Sequence, residues 1–169
     1  MNRTERLRRR YRPGFISVLF VGESAPAGGR FFYDDDNPSR LRGFTEDVMR
    51  EELGERIGRD FLRSFQHLGC YLEDLCLRPV NHLKPRPRRE ACRACEPDLA
   101  ARIAAATPKV VVGISLTRRT NFQRALHASG TPASLEMLTF PNRPEQVIAY
   151  RRALIDLVRQ LDRQGLFLA

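Results

Sequence analysis

The chain lacks any long apolar run, and no stretch approaches the roughly 20 residues that a membrane-spanning helix requires. It also lacks the apolar centre of a signal peptide, because the basic residues up to Arg12 lead directly into a segment with the pattern of a strand. We therefore expect a soluble, cytoplasmic protein that does not contact a membrane.

Lysine is scarce, with only Lys84 and Lys109, although lysine and arginine together outnumber aspartate and glutamate by 29 to 20. The net charge of +9 is therefore carried almost wholly by arginine, whose planar fork suits phosphate oxygens. A strongly basic domain is a candidate for binding nucleic acid. A genome rich in G and C also increases arginine use, so the charge alone does not decide the function.

Cysteine is sparse, and a disulfide framework is not expected in a cytoplasmic chain of this size. Cys92 and Cys95 share one face of a predicted helix, so a metal or iron–sulfur centre is one interpretation of this pair. The other pair, Cys70 and Cys76, is too widely spaced for a zinc knuckle and lies in a predicted strand. Free, mostly buried thiols are the alternative, and we expect no metal and no cofactor.

Two nucleotide-binding motifs are absent. No Gly-Lys-Ser or Gly-Lys-Thr follows a glycine-rich loop, which excludes a P-loop, and the Gly28-Gly29 pair lacks the spacing of the dinucleotide fingerprint. The three histidines, His67, His82 and His127, lie in unrelated contexts. Only His82 follows a strand into a loop where a site is expected.

Apolar segments with the pattern of strands alternate with segments of helical periodicity. This alternation predicts an α/β fold, a three-layer α/β/α sandwich around a central four-stranded, mainly parallel sheet. We expect one domain over residues 14–169, preceded by a loose basic arm over residues 1–13. The predicted strands are 15–21, 71–80, 109–114 and 133–140, and the predicted helices are 44–53 capped by Thr45, 59–68, 88–106 with a break at Pro97, 121–129 ending at Gly130, and 145–164.

The first predicted strand leads into a glycine-rich loop that ends in Phe31, Phe32 and Tyr33. Parallel sheets bind ligands beyond the carboxyl ends of their strands, so Glu23 and these aromatics emerge where a site is expected. A surface loop whose aromatics fold back into the core is the alternative. The acidic run that follows, 34–36, is read mainly as a solvated loop.

In its order of motifs the chain resembles the uracil-DNA glycosylase superfamily over nearly its whole length. The Gly22-Glu-Ser-Ala-Pro26 loop is similar to the first motif of that superfamily, whose thermophile-type branch has Gly-Glu-Ala-Pro-Gly. The segment 74–80, Asp-Leu-Cys-Leu-Arg-Pro-Val, looks like the Leu-Val-x-Arg-Pro-Thr segment of the mismatch-specific branch. The second motif, usually His-Pro-Ser, resembles Phe140-Pro-Asn142 here, and its histidine is missing.

This resemblance implies a monofunctional DNA glycosylase that hydrolyses the N-glycosidic bond of a flipped uracil-like or otherwise modified base. Glu23 matches the catalytic carboxylate, with Asp35 as a second candidate by similarity to branches that carry a later aspartate. Phe32 matches the ring beneath the base, and Asp74 matches the reader of the base edge, with a buried structural role as its alternative. The implied base-binding residues are Phe32, Tyr33, Asp74 and Phe140, and the implied DNA-binding residues are Arg30, Pro141, Asn142, Arg143 and Arg10.

Cys95 is similar to the fourth cluster cysteine of the thermophile-type branch, but Leu77 occupies the place of the third and the N-terminal Cys-x-x-Cys is missing. The resemblance thus implies that the iron–sulfur cluster has been lost. Two other functions stay open: a glycosylase directed at modified bases of phage DNA, and a catalytically inactive DNA-binding member of the fold. We expect a monomer, associated with DNA at the nucleoid.

Overall fold

Four parallel strands form the sheet at the centre of the fold. The computed structural model describes residues 3–168, and its strands are β1 (Val18–Ser24), β2 (Cys70–Cys76), β3 (Val110–Ile114) and β4 (Ser134–Leu138). Their order in the sheet is β2-β1-β3-β4, and all three neighbouring pairs are parallel. The predicted three-layer α/β/α sandwich is confirmed.

Helices cover both faces of this sheet. Within the described residues they are α1 (Arg3–Arg10), α2 (Arg40–Leu53), α3 (Phe61–His67), α4 (Pro85–Ala94), α5 (Glu96–Ala106), α6 (Arg119–Ser129) and α7 (Pro144–Arg163). Helix α2 packs against α7, and α5 packs against α6. The predicted helix 88–106 is broken as expected, because α4 ends at Ala94 and Pro97 lies in the first turn of α5, where its missing N–H group is tolerated. None of the helices in residues 3–168 has both the length and the apolar character needed to cross a membrane.

The cap of α2 differs from the prediction. Ser39, not Thr45, caps the helix, by accepting a hydrogen bond from the Arg42 backbone N–H. Thr45 is buried one turn inside α2, where its hydroxyl lies 2.7 Å from the Leu41 carbonyl and 2.8 Å from the Tyr150 hydroxyl. Its polar group thus ties α2 to α7.

The inner strands β1 and β3 hold the core because nearly all their side chains are buried on both faces. Gly113 in β3 lets α6 approach closely. A Cβ atom at this position would lie 2.5 Å from the Phe122 ring and 2.8 Å from the Met137 sulfur. The absence of a side chain at Gly113 therefore sets the distance between β3 and α6.

The basic N-terminal segment is part of the folded core over its described residues, so the expectation of a loose arm is corrected. Arg8 and Tyr11 are almost fully buried. Arg8 Nη2 pairs with the Asp74 carboxylate at 2.5 Å, and the Tyr11 ring stacks on Tyr33 with 5.8 Å between ring centroids. The composition of the segment predicted a solvated arm because these partners lie far away in the sequence.

The outer edge of β2 is closed by side chains. The Tyr33 hydroxyl accepts a hydrogen bond from the Leu72 N–H at 2.6 Å and donates to the Leu72 carbonyl at 3.2 Å. Arg102 Nη2 donates to the carbonyls of Asp74 and Leu75 at 3.0 and 3.2 Å. Because unpaired strand edges promote association, these bonds protect one side of the sheet. In residues 3–168, no side chain forms such bonds to the edge strand β4.

Candidate active site

Glu23 lies at the carboxyl end of the inner strand β1 and is held there by two arginines. Its Oε1 accepts hydrogen bonds from Arg88 Nε, at 2.8 Å, and from Arg88 Nη2. Its Oε2 accepts from Arg118 Nε at 2.5 Å. The side chains of Glu23 and Arg118 are only 12% and 11% exposed. A single carboxylate thus has both oxygens fixed by two cations in a largely buried position.

The topology explains why these three side chains meet. Arg88 lies at the end of the first turn of α4, which follows β2, and Arg118 immediately precedes α6, which follows β3. Both strands are neighbours of β1 and run parallel to it, so the helices that follow them begin at the same edge of the sheet as Glu23. This edge is where open α/β sheets bind ligands.

Three free thiols lie beside this cluster. Cys76 ends β2, and its Sγ lies 3.9 Å from the Ala91 carbonyl of α4. Burial and hydrogen bonding with Cys95 and Cys92 raise the pKa of Cys76. Burial also raises the pKa of Cys92, although the nearby Arg118 opposes this shift. Within residues 3–168, no group of three or more potential ligands is arranged to hold a metal ion. Of these thiols, Cys92 lies next to Glu23 and Arg118.

The loops at this edge expose apolar side chains among arginines. Leu77, Leu116 and Phe140 are all exposed, and they follow the ends of β2, β3 and β4 respectively. We call this region the carboxyl-edge surface, defined by Leu77, Leu116 and Phe140 together with the exposed Arg30, Arg78 and Arg143. Such a mixture of apolar side chains and cations suits unstacked bases joined by phosphates.

Two of the predicted base-binding aromatics are not at this surface. The Phe32 ring is 3% exposed and packs against Tyr33, Phe61 and Phe65 at centroid distances of 5.1, 6.3 and 5.4 Å. Tyr33 is fully buried and closes the edge of β2. A base could not stack on either ring without displacing the core. Phe32 is therefore not the exposed floor that the resemblance implied, and the alternative of aromatics folded into the core is correct.

Asp74 is also buried, and it serves the fold instead of facing a ligand. Its carboxylate pairs with Arg8, and a Cβ atom added at Gly22 would lie 2.6 Å from its Oδ1. Burial raises the pKa of Asp74, while Arg8 limits that increase. The prediction that Asp74 reads a base edge is corrected to a structural role.

Asp35, the second candidate carboxylate, is exposed and lies in the loop before α2. The Tyr11 hydroxyl donates to its Oδ2 at 3.1 Å, and Arg42 pairs with its Oδ1 at 2.8 Å. In the described part of the chain, no hydrogen bond or ion pair joins Asp35 to Glu23. The structure therefore does not combine the two carboxylates into one site.

The predicted DNA-binding residues are separated by the fold. Asn142 and Arg143 are exposed in the loop after β4, as is the predicted base-binding residue Phe140, whereas Pro141 is buried. Arg30 is exposed after β1, on the same carboxyl-edge surface. Arg10 lies elsewhere, at the end of α1, with its guanidinium 5.4 Å from the centre of the Tyr11 ring.

Sequence reasoning missed Arg88 and Arg118 as partners of Glu23. Both are single arginines in an arginine-rich chain, and neither belongs to a recognised motif. The available signal was positional, since each lies near the start of a helix that follows a predicted strand. Only the sheet order shows that both strands are neighbours of β1.

Comparison with known proteins gives no family assignment. No family model matches the chain, and no curated protein matches it significantly. The functional argument therefore depends on the site itself.

Proposed function

We propose that the protein is a monofunctional DNA glycosylase that hydrolyses the N-glycosidic bond of a flipped uracil-like or otherwise modified base. The observation that carries this proposal is the Glu23 carboxylate, fixed at the carboxyl end of an inner strand within a basic, partly apolar surface. The function also fits the resemblance of the Gly22-Glu23-Ser24 loop to the first glycosylase motif.

The chemistry of base removal favours a fixed carboxylate. Breaking the bond between the base and the sugar passes through a cation-like sugar, and a negative group near C1′ stabilises that charge or orients the attacking water. Glu23 is oriented before substrate binds because Arg88 and Arg118 hold both of its oxygens. We assign Glu23 the catalytic role and keep Asp35 as the alternative carboxylate to be tested.

The carboxyl-edge surface supplies groups that a flipped nucleotide needs. Phe140 and Leu116 are exposed and can contact or wedge unstacked bases. Arg30 and Arg143 are exposed and can contact phosphates. We propose DNA as the partner, a monomer as the active form, and a location at the nucleoid, where such a substrate is found.

A second function is favoured by two observations. Both oxygens of Glu23 are occupied by arginines, and the histidine of the second motif is replaced by Phe140. A DNA-binding protein on the glycosylase fold that has lost catalysis would have these features. A glycosylase directed at modified bases of phage DNA would accommodate the altered motif and retain activity.

A substrate panel separates these functions. Purified protein is incubated with single- and double-stranded oligonucleotides that contain uracil, hypoxanthine, xanthine or hydroxymethylcytosine, and abasic sites are then cleaved with alkali. A glycosylase gives strand breaks with at least one base. We expect Glu23→Gln to reduce the rate by about a hundredfold, the magnitude typical of losing one electrostatic stabiliser of a transition state.

Two controls accompany the panel. Glu145→Gln neutralises a carboxylate that is exposed, in the first turn of α7, and should leave the rate unchanged. Asp35→Asn tests the alternative carboxylate. Activity that survives Glu23→Gln and Asp35→Asn together would contradict the mechanism. Binding without strand breaks on any base would establish the non-catalytic function.

A further inference from the structure

Arg88 and Arg118 have more hydrogen-bond donors than Glu23 uses. Arg118 contacts Glu23 through Nε, and Arg88 does so through Nε and Nη2. In residues 3–168, no hydrogen bond engages Arg118 Nη1, Arg118 Nη2 or Arg88 Nη1. Arg8 Nε is the one side-chain nitrogen or oxygen of the described residues that is both buried and without a partner. The unpaired nitrogens of Arg88 and Arg118 are therefore not fully buried, and solvent reaches them.

The charges of this cluster do not balance. Two guanidinium groups face one carboxylate, which leaves one surplus positive charge beside Glu23, shared between Arg118, which is 11% exposed, and Arg88, which is 34% exposed. The start of α6 adds to it, because no side chain caps its first turn and the helix dipole is positive there. The thiol of Cys92, next to Arg118 and Glu23, is neutral and offers no compensating charge, since burial raises its pKa. The surplus charge beside Glu23 therefore suits one singly charged anion.

We propose that Arg88 and Arg118 bind one backbone phosphodiester of a nucleic-acid strand through these free nitrogens, directly beside Glu23. A phosphodiester carries a single negative charge and offers oxygens to the guanidinium fork, so it balances the cluster without displacing Glu23. This inference builds on the proposed function, because it places a phosphate next to the carboxylate assigned to the sugar. Arg88 and Arg118 then act as positioning residues, which align both the strand and the carboxylate.

A methylphosphonate scan tests this site without any catalytic step. Fluorescent single-stranded oligonucleotides carry one 2′-fluoro-deoxyuridine, which resists cleavage, and one phosphate at a time is replaced by a neutral methylphosphonate. Binding is measured by fluorescence anisotropy at fixed salt. We expect one position at which the neutral linkage weakens binding to the wild-type protein. Arg118→Gln should weaken binding by about tenfold and remove the sensitivity at that position.

The salt dependence gives a second readout. Loss of one phosphate contact should reduce the slope of log affinity against log salt by about 0.7 for a single strand. Arg163→Gln is the matched control, since it removes the same charge from an exposed arginine in the last turn of α7, at the opposite end of that helix from the carboxyl-edge surface. This control should keep both the position-specific sensitivity and the slope.

Folding of each variant is checked by thermal unfolding. Arg88→Gln is the second variant, because Arg118 still pairs with Glu23 when Arg88 is replaced. The inference is overturned if both variants keep the wild-type sensitivity at every position, or if the wild type binds no oligonucleotide. Binding of thymidine 5′-monophosphate alone, lost in Arg118→Gln, would show that the site takes a terminal phosphate and that the phosphodiester assignment is wrong.

The two proposals fail separately. If the protein shows the position-specific effect but never releases a base, the phosphate site is supported and the glycosylase function is contradicted. If the protein releases a base but no methylphosphonate position weakens binding, the glycosylase function is supported and the phosphate site is contradicted.

Discussion

Arg118 Nε lies 2.5 Å from Glu23 Oε2, although the two residues are 95 positions apart in the chain. The contact joins the carboxyl end of β1 to the turn that follows β3, so it forms only when these strands are correctly paired. The candidate site is thus assembled by the sheet, and substitutions that disturb β1 should affect stability and function together.

The buried pair of Arg8 and Asp74 should make the N-terminal helix essential for stability. Arg8→Met leaves the buried Asp74 carboxylate without its cation, and breaking a buried pair in this way costs about 3–5 kcal/mol. Urea unfolding followed by circular dichroism measures the change. Arg9→Met removes an exposed arginine from the same helix and should change the free energy of unfolding by less than about 1 kcal/mol. Equal effects of the two substitutions would show that α1 does not depend on this pair.

Gly22 leaves room for the Asp74 side chain, and alanine should not be tolerated there. Its Cβ would lie 2.6 Å from Asp74 Oδ1, and Arg8 holds that carboxylate in place. We expect Gly22→Ala to reduce the free energy of unfolding by about 1–3 kcal/mol. Gly43→Ala is the matched control, because nothing lies within 4 Å of the added atom and α2 gains a better helix former. A neutral or stabilising Gly22→Ala would contradict the packing described for Asp74.

Tyrosine ionisation should be delayed in the folded protein. Burial raises the pKa of Tyr11, Tyr33 and Tyr150, and it raises the pKa of Tyr71 to about 12. The unfolded chain has ordinary tyrosines, so their contribution to stability is fully present below pH 10 and is lost as the pH rises from 10 through 12. Ultraviolet titration of tyrosinate, run beside a circular-dichroism signal, measures both events. Ionisation near pH 10 in a protein that is still folded would disprove the burial.

The carboxyl-edge surface should contribute to DNA binding through Phe140. Phe140→Ala removes an exposed ring that can stack on a base, and stacking of this kind contributes about 1–3 kcal/mol per base. Phe15 is an ideal control, since it is also 47% exposed but precedes β1, at the opposite end of the strand from Glu23. We expect oligonucleotide affinity to fall in Phe140→Ala and to be unchanged in Phe15→Ala, with anisotropy as the measurement. A similar loss in both variants would argue against a surface confined to the carboxyl edge.

Most of the fold could be predicted because the strands are apolar runs bounded by breaks in the pattern. Their ends could not, since strand length depends on pairing. Strand β2 was expected to continue to Val80, yet it ends at Cys76, where its pairing with Ser24 of β1 also ends. Gly130 was predicted correctly as a helix end because its φ of 68° follows from local chemistry alone.

The site was predicted less completely, because burial is decided by distant partners. The position of Glu23 followed from its place after a strand. The sequence left two readings open for Phe32 and for Asp74, and the structure places both in the interior because Phe61, Phe65 and Arg8 pack against them. Motif position therefore located the edge of the sheet correctly but did not show which side chains face solvent.

The unequal edges of the sheet limit how this chain can associate with copies of itself. Tyr33 and Arg102 engage the Leu72 N–H and the carbonyls of Leu72, Asp74 and Leu75, so an incoming strand would have to displace these bonds to pair with β2. Among residues 3–168, β4 is the other edge of the sheet, and no side-chain hydrogen bond has to be displaced to pair with it. Two copies joined through β4 would form a closed pair whose outer edges are the two side-chain-covered β2 strands. Partial blocking of this one strand therefore opposes extension of the sheet from copy to copy into a fibre.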